Sequence, residues 1–343
     1  MGAADRLEVL IQRCYAGLDA DALRSETLVR LRKLMTIDAA FFATVDPATI
    51  LFTSVSADEP LGRSTELFLA NEFGQDDVNK FAALAAEPDP VNSLGHATKG
   101  DWPSSARYVD VMRPLGLGDE LRAALMSNGR CWGVICLHRE DASTGFTEQE
   151  IQLVRRIGPH LAEGLRRSLL GGSSQPEGAP GVIILDAALA VVSVSAEAEH
   201  WMAELDPERR TELPAAVMAA AAQLKRVHEL PKAPHLKVRT PRGHWLALHA
   251  SMLPTTQQVA VVIESASAAQ LGSFLLDLHG LTPAQQRVTE LLLKGYSTRQ
   301  IVERLCLSPH TVQEHVRAAF DKVGVGSRRE LVTALLTGSA SPG

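Results

Sequence analysis

The sequence lacks most of the marks of a secreted, membrane-spanning or catalytic chain. Its four cysteines, Cys14, Cys131, Cys136 and Cys306, form no C-x-x-C pair, so neither a disulfide framework nor a zinc site is indicated. They read as small buried hydrophobes. Cys131 and Cys136 lie five apart in a strand-like run, which places them on opposite faces. The most apolar stretch, Val182 to Val194, is broken by Asp186 and Ser193 and falls short of the about 20 residues a bilayer requires. Acids from Asp5 onward and the want of a signal-peptide core point to the cytoplasm. No glycine-rich phosphate loop, H-E-x-x-H pair or nucleophile elbow occurs, so no catalytic residue, cofactor or metal is expected. His138 ends a strand, and His244 and His249 fall on opposite faces of another, so the histidines form no ligand set. Asp76-Asp77 precedes Val78 to Ala86 instead of ending an apolar strand, which argues against aspartyl phosphorylation.

What is present is a globular composition, 45% hydrophobic and 22% charged, over 343 residues. That length suggests two or three domains. The net charge of -6 is unevenly spread: from Leu281 onward 8 Lys or Arg stand against 5 Asp or Glu, net +3, leaving -9 for the preceding residues. An acidic front and a basic tail suit a chain whose end meets nucleic acid. GGSSQPEGAPG, Gly171 to Gly181, reads as a linker, and a second junction lies between Ser265 and Gly280.

The first segment opens with amphipathic stretches, Arg6 to Leu18 and Ala22 to Met35, then strand-like Ala39 to Val45 and Ile50 to Val55. Arg122 to Met126 and Arg130 to His138 flank Ser-Asn-Gly, a hairpin signal. Thr147-x-x-Glu150 is a capping box launching a helix to about Leu170, with Ile151, Val154, Ile157, Leu161 and Leu165 on one stripe. With RPLGLGDELRAAL, CWGVICLHRE and GFTEQEIQLVRRIGPHLAEGL, this segment resembles a GAF domain of actinobacterial regulators, most clearly over residues 20–170. The resemblance implies a sensing or dimerising role without naming an effector.

The second segment begins with apolar strands, Val182 to Leu185 and Ala190 to Ser195, followed by a helix, Ala196 to Leu205. An Ala-rich helix, Leu213 to His228, precedes a hairpin of His235 to Arg239 and Trp245 to Ala250 around Pro-Arg-Gly, and Gln258 to Glu264 is a last strand. The pattern resembles a small PAS-like domain.

The tail reads as four short helices. Thr282-x-x-Gln285, Ser297-x-x-Gln300 and Ser327-x-x-Glu330 are capping boxes, Ser308-Pro309 supplies a cap and an N1 proline, and Gly295 and Gly324 stop the first and third helices. Apolar stripes converge on one small core: Val288, Leu291, Leu292; Ile301, Leu305; Val312, Val316, Phe320, Val323; Leu331, Val332, Leu335. The opposite face of the third helix carries Gln313, Glu314, Arg317 and Asp321. Such a helix fits the major groove, where Gln pairs with adenine, Arg with guanine and Glu with cytosine. Hydroxyls and cations near helix amino termini would hold phosphates: Thr298, Arg299, Ser308, His310, Thr311 and Arg328, with His315 open to a phosphate contact or a packing role.

Through its LTP start, GYSTRQIVERL, SPHTVQEHV and DKVGVGSRRELV, the segment 281–336 resembles the LuxR/NarL-type helix-turn-helix. The resemblance implies base contacts at Gln313, Glu314 and Arg317, and dimerisation through the fourth helix at Arg329, Val332, Thr333 and Leu336. Ala284-Gln285 stands where such families have Arg-Glu, and Val302 where they have Ala. The expected chain is therefore multidomain: an α+β GAF-like sensor over 1–170, a linker over 171–180, a small α+β PAS-like domain over 181–264, a connecting segment over 265–280, and an all-α four-helix LuxR-type helix-turn-helix over 281–337. The expected protein is a cytoplasmic, homodimeric regulator of transcription that binds an operator in double-stranded DNA, works with RNA polymerase, and is controlled through its GAF/PAS-like region by a partner or by a small effector at the GAF-like domain, without a membrane partner. The competing classes are a partner-controlled scaffold that binds DNA weakly and a GAF-containing enzyme.

Overall fold

The computed structural model describes residues 2–140, 145–170, 178–208, 213–224 and 234–337. Two helices, α1 (Ala3–Cys14) and α2 (Ala20–Leu31), precede β1 (Ala39–Val45) and β2 (Phe52–Ala57). Then come α3 (Thr65–Gly74), α4 (Phe81–Ala86), β3 (Val91–Ser93), the single turn α5 (Leu94–Ala97), β4 (Asp119–Ser127), β5 (Arg130–Arg139) and the long α6 (Glu148–Ser168). The strands form one antiparallel sheet in the order β2-β1-β5-β4-β3. One face, with Phe42, Leu121, Leu125, Ile135 and Leu137, shares a core with Leu10, Leu23 and the α6 stripe Ile151, Val154, Ile157, Leu161 and Leu165. The other face buries Phe41, Phe52, Val134 and Cys136 with Phe68, Phe73 and Phe81. The α6 cap is as the sequence predicts: the Thr147 hydroxyl accepts from the Glu150 amide and the Glu150 carboxylate from the Thr147 amide.

The hairpin turns at Asn128-Gly129, both with positive φ, +52° and +73°, the two-residue geometry that matches strand twist. Its first strand starts three residues earlier than expected, at Asp119. One expectation is overturned here. Cys131 and Cys136 share a face and a core, because the register passes from Leu125↔Gly133 to Met126↔Cys131 and leaves Trp132 as an extra residue. A bulge of one residue reverses the side-chain parity beyond it. Trp132 thereby joins the core on the α6 side. Cys306 also departs from the buried reading: it is exposed and closes a helix in the left-handed conformation at φ +51°.

The second unit contains β6 (Gly181–Leu185), β7 (Val191–Val194), α7 (Ala196–Leu205), α8 (Ala215–Gln223), β8 (His235–Arg239), β9 (Trp245–Leu253) and β10 (Gln258–Ser265). Its sheet runs β7-β6-β10-β9-β8. Counted within each unit, both sheets therefore have the order 2-1-5-4-3. Of the expected linker only 178–180 is described, and there Trp201 Nε1 donates to the Ala179 carbonyl at 3.0 Å. The expected helix to His228 is described only to Leu224. Its alanine content has a physical reason: α8 packs against α3 and β2 on one side and β8, β9 and β10 on the other. Ala216, Ala219, Ala220, Ala221 and Ala222 are all buried, as befits a helix apolar all round. The Asp46 carboxylate ties the units together by accepting from the Lys237 amide at 2.7 Å.

The connecting segment is a helix, α9 (Ala268–Leu278), capped reciprocally by Ser267 and Gln270. Phe274 meets Trp132 of the first sheet and Trp245 of the second edge-on, at centroid distances of 6.1 Å and 4.8 Å. Four helices follow: α10 (Pro283–Leu293), α11 (Thr298–Leu305), α12 (Pro309–Val323) and α13 (Arg328–Thr337). Among the described residues no helix is long and apolar enough to cross a membrane.

Helices α1 and α6 approach closely at Gly164. A Cβ at Gly164 would sit 2.7 Å from the Cys14 carbonyl oxygen and 2.7 Å from Leu23 Cδ2. Backbone cannot yield there as a flexible side chain would. Gly164→Ala is expected to destabilise the first domain by about 1–3 kcal/mol, read as a lowered unfolding midpoint; an unchanged midpoint would contradict the close approach.

Candidate nucleic-acid interface

The four carboxy-terminal helices are assembled by local signals. Thr282, Ser297 and Ser308 cap the amides of Gln285, Gln300 and Thr311, and the Ser327 hydroxyl accepts from the Glu330 amide at 3.2 Å. Gly295 and Gly324 take positive φ, +90° and +76°, and leave each helix free to end there. The core is smaller than the stripes suggest. Val288, Leu292, Ile301, Val312, Val323, Leu331 and Leu335 are buried together with Ala319 and Ala334, whereas Leu291, Leu305, Val316, Phe320 and Val332 are half-buried at its rim. Short side chains at 319 and 334 occupy the places where the helices approach.

On the far side of α12, Gln313, Glu314, Arg317 and Asp321 are exposed. Gln313 and Arg317 have no hydrogen-bond partner among the described residues. Glu314 Oε1 lies 3.4 Å from His310 Nε2 one turn earlier. This face can therefore present a donor-acceptor amide, a carboxylate and a guanidinium to an outside partner without breaking a fold contact.

The residues expected at phosphates are distributed as follows. Thr298 and Arg299 are exposed on the first turn of α11, where Arg299 also meets Glu303 at 3.1 Å. Ser308 and His310 are exposed at the start of α12, and Thr311 is half-buried with its amide bonded to Ser308. His315 is half-buried beside Val316. Arg328 is half-buried, and one Nη donates to the Leu292 carbonyl at the end of α10 at 2.7 Å. That bond gives Arg328 a share in holding α13 against α10. On α13, Arg329 and Thr333 are exposed and Val332 is half-buried, while Leu331, Ala334 and Leu335 face inward; the side chain of Leu336 lies outside the described residues.

Sequence reasoning missed two features. Lys322, in the last turn of α12, donates to the Gly280 carbonyl at 2.7 Å and to Gln285 Oε1 at 3.0 Å. Gln285 thus keeps a polar link where an acid would have made an ion pair. The second is a buried charged network far from α12. Glu120, Arg122 and Arg107 are wholly inaccessible. Arg107 pairs with Glu120 Oε2 at 2.7 Å, and Arg122 pairs with Glu120 Oε1 at 3.1 Å and with Glu72 at 2.8 Å. Burial works against the Glu120 carboxylate, but the two guanidinium groups outweigh it and hold the group well below the usual range. Charges at 120 and 122, two apart on a strand, are the signal that would have found this face.

Within that network Glu120, Cys136 and His138 bring their ligand atoms within 4.8 Å of one another, which bears on the expectation of no metal. Both Glu120 oxygens already accept from guanidinium groups. Burial pushes the Cys136 thiol well above its ordinary value. A divalent cation would meet two fixed positive charges and a protonated thiol, so the three residues do not fit one.

Residues 279–335 match the bacterial regulatory proteins of the luxR family, and residues 19–165 match the GAF domain. The spore germination protein GerE of Bacillus subtilis is 38% identical over 56 residues, 16% of this chain and 76% of its own. An HTH-type transcriptional regulator of Mycobacterium bovis is 42% identical over 52 residues, 15% of this chain. The match spans only 6% of the length of that mycobacterial relative. Among solved structures, the Vibrio cholerae VqmA in complex with ligand and DNA is 20% identical, with a TM-score of 0.23, and covers 48% of this chain and 85% of its own. The luxR-family match over 279–335, the GAF match over 19–165 and the identity to GerE together make this chain a GAF-containing member of the luxR family of bacterial regulatory proteins.

Proposed function

We propose that the protein is a cytoplasmic, dimeric, sequence-specific regulator of transcription, in which each α12 enters the major groove at one half-site of an operator. Gln313, Glu314 and Arg317 read base edges. Thr298, Arg299, Ser308, His310, Thr311 and His315 position the unit on phosphates, with Arg328 dividing its donors between phosphate and Leu292. The observation that carries this reading is the exposure of Gln313, Glu314 and Arg317 on a helix whose other face is buried. Dimerisation falls to α13 through Arg329, Val332, Thr333 and Leu336, with half-sites about one helical turn apart, as in helix-turn-helix dimers generally. The regulator acts with RNA polymerase and is not an enzyme.

In the same reading residues 1–170 are the sensor, 171–180 the linker, 181–264 a PAS-like module, 265–280 the connector and 281–337 the DNA-binding unit. The shared strand order of the two sheets supports a PAS-like assignment for the middle module. A small effector or a partner at the first domain would shift the geometry of the dimer only through unequal affinity for its states. The coupling element is α9. Its Asp277 Oδ1 accepts from Arg130 of β5 at 2.9 Å and from Gln286 of α10 at 2.6 Å, so one carboxylate oxygen joins the sensor to the DNA-binding unit.

Two outcomes test this. Selection of randomised duplex DNA at near-physiological salt should enrich a symmetric motif with the full chain, and Arg317→Ala should cost about 1–3 kcal/mol and relax one base position; enrichment of the same motif by both proteins would remove Arg317 from the reading head. Asp277→Ala should speed amide exchange in α9 and at the start of α10 while 19–165 stays protected. Unaltered exchange in those helices would leave α9 without the coupling role.

A further inference from the structure

Three groups in the buried network of the first domain are left over after every carboxylate has been satisfied. Glu120 accepts from Arg107 and Arg122, Glu72 accepts from Arg122 and from the Phe81 amide, and Asp77 accepts from Asn71 and the Arg107 amide. Arg122 Nη2 and both ring nitrogens of His138 are buried without a hydrogen-bond partner among the described residues. The two residues are neighbours: Arg122 Nε is 3.1 Å and His138 Nε2 is 3.8 Å from the same Glu120 oxygen. A buried donor without an acceptor costs about 1–3 kcal/mol, more when charged, and such a group calls for an explanation by a bound species.

We infer that Arg122 and His138 form a site for a small planar monovalent oxyanion. The unmet capacity is a guanidinium N-H and an imidazole whose neutral ring offers one N-H and one acceptor nitrogen that becomes a second donor on protonation, while the carboxylate acceptors are already used. Guanidinium presents planar N-H pairs that match the oxygens of a planar anion. The surroundings limit its size. Arg122 Cζ lies 4.2 Å from the Phe81 ring centroid and 5.2 Å from that of Phe68, and Phe41 and Phe68 are themselves 4.5 Å apart.

Binding at this site takes up a proton. Burial first, then the positive charges of Arg122 and Arg107, hold the His138 imidazole down at about 4 against the pull of Glu120. Glu72 on α3 and Asp77 beyond it are engaged by Arg122 and Arg107, and Cys136 across the strand stays protonated. An anion beside the ring favours the imidazolium. Between pH 5 and 7, with full uptake of one proton, the dissociation constant rises about tenfold per pH unit. The inference deepens the effector reading above and rests on it for any regulatory consequence.

The probes are sodium formate and sodium nitrate, added to the full chain at constant ionic strength held with sodium gluconate, whose anion is neither small nor planar. The expected result is a saturable rise in melting temperature with formate or nitrate, stronger at pH 5.5 than at pH 7.5 and lost in His138→Phe. In the wild-type protein the same anions should shift the His138 ring 15N resonances, a readout that holds even where the variant does not fold. A melting temperature that follows ionic strength alone, with unmoved ring resonances, overturns the site and leaves only buried water there. If the anion binds yet the affinity for selected DNA does not change, the site stands and the effector reading fails. If no anion binds, the site falls while control by a partner protein is untouched.

Discussion

The carboxy-terminal end of α9 exposes carbonyl groups that its own turns cannot satisfy, and donors from other parts of the chain supply what is missing. Arg166 of α6 donates to the Leu278 carbonyl and Lys322 of α12 to the Gly280 carbonyl. Cations at a helix carboxy terminus answer both the unfilled acceptors and the negative end of the helix dipole. One turn back, Phe274 is held between two tryptophans of different sheets, and each such edge contact contributes about 0.5–1.5 kcal/mol beyond the area it buries. An eleven-residue helix therefore sets where the DNA-binding unit stands relative to both preceding units. Displacing it would open a buried aromatic contact and strand several polar groups at once.

The sequence was most informative where structure is local. The boxes at Thr147, Thr282 and Ser297 and the cap at Ser308 formed as the spacing predicts, since a cap needs only residues three apart. What stayed hidden depends on distance along the chain. Arg122 and Glu72 are fifty residues apart, and nothing near either of them announces the other. The bulge at Trp132 is marked only by the adjacent Gly133, yet it reverses the parity of the strand and turns an indole toward α9. The alanine richness of α8 looked like a weakness in a PAS-like pattern, and only two flanking sheets explain it. On α12 the exposed face could be seen by subtraction of the apolar stripe, whereas the role of Lys322 required knowing that Gly280 lies beside it.

The first domain divides labour between the faces of its sheet. The α6 side is apolar and carries Trp132 and the α6 residues that reach α9. The other side holds the aromatic cluster and the buried charges around Glu120. Strands β4 and β5 belong to both, because alternate residues point each way. A change in the charged network is therefore one backbone away from the helix that touches the DNA-binding unit, and rigid strands can carry it. Arg130, at the start of β5 and bonded to Asp277, is where that path leaves the sheet.

The face of α12 that carries Gln313, Glu314 and Arg317 is open in a single chain that is otherwise tightly connected. None of the described elements lies over it as a cover. A silent state of this protein would thus not be a sheathed blade awaiting release. In the dimer proposed above it would be a matter of distance, two uncovered helices held at a separation that the grooves of DNA do not match. Such a regulator could sit on one half-site in passing at any time, and what a signal would alter is whether the second hand can reach.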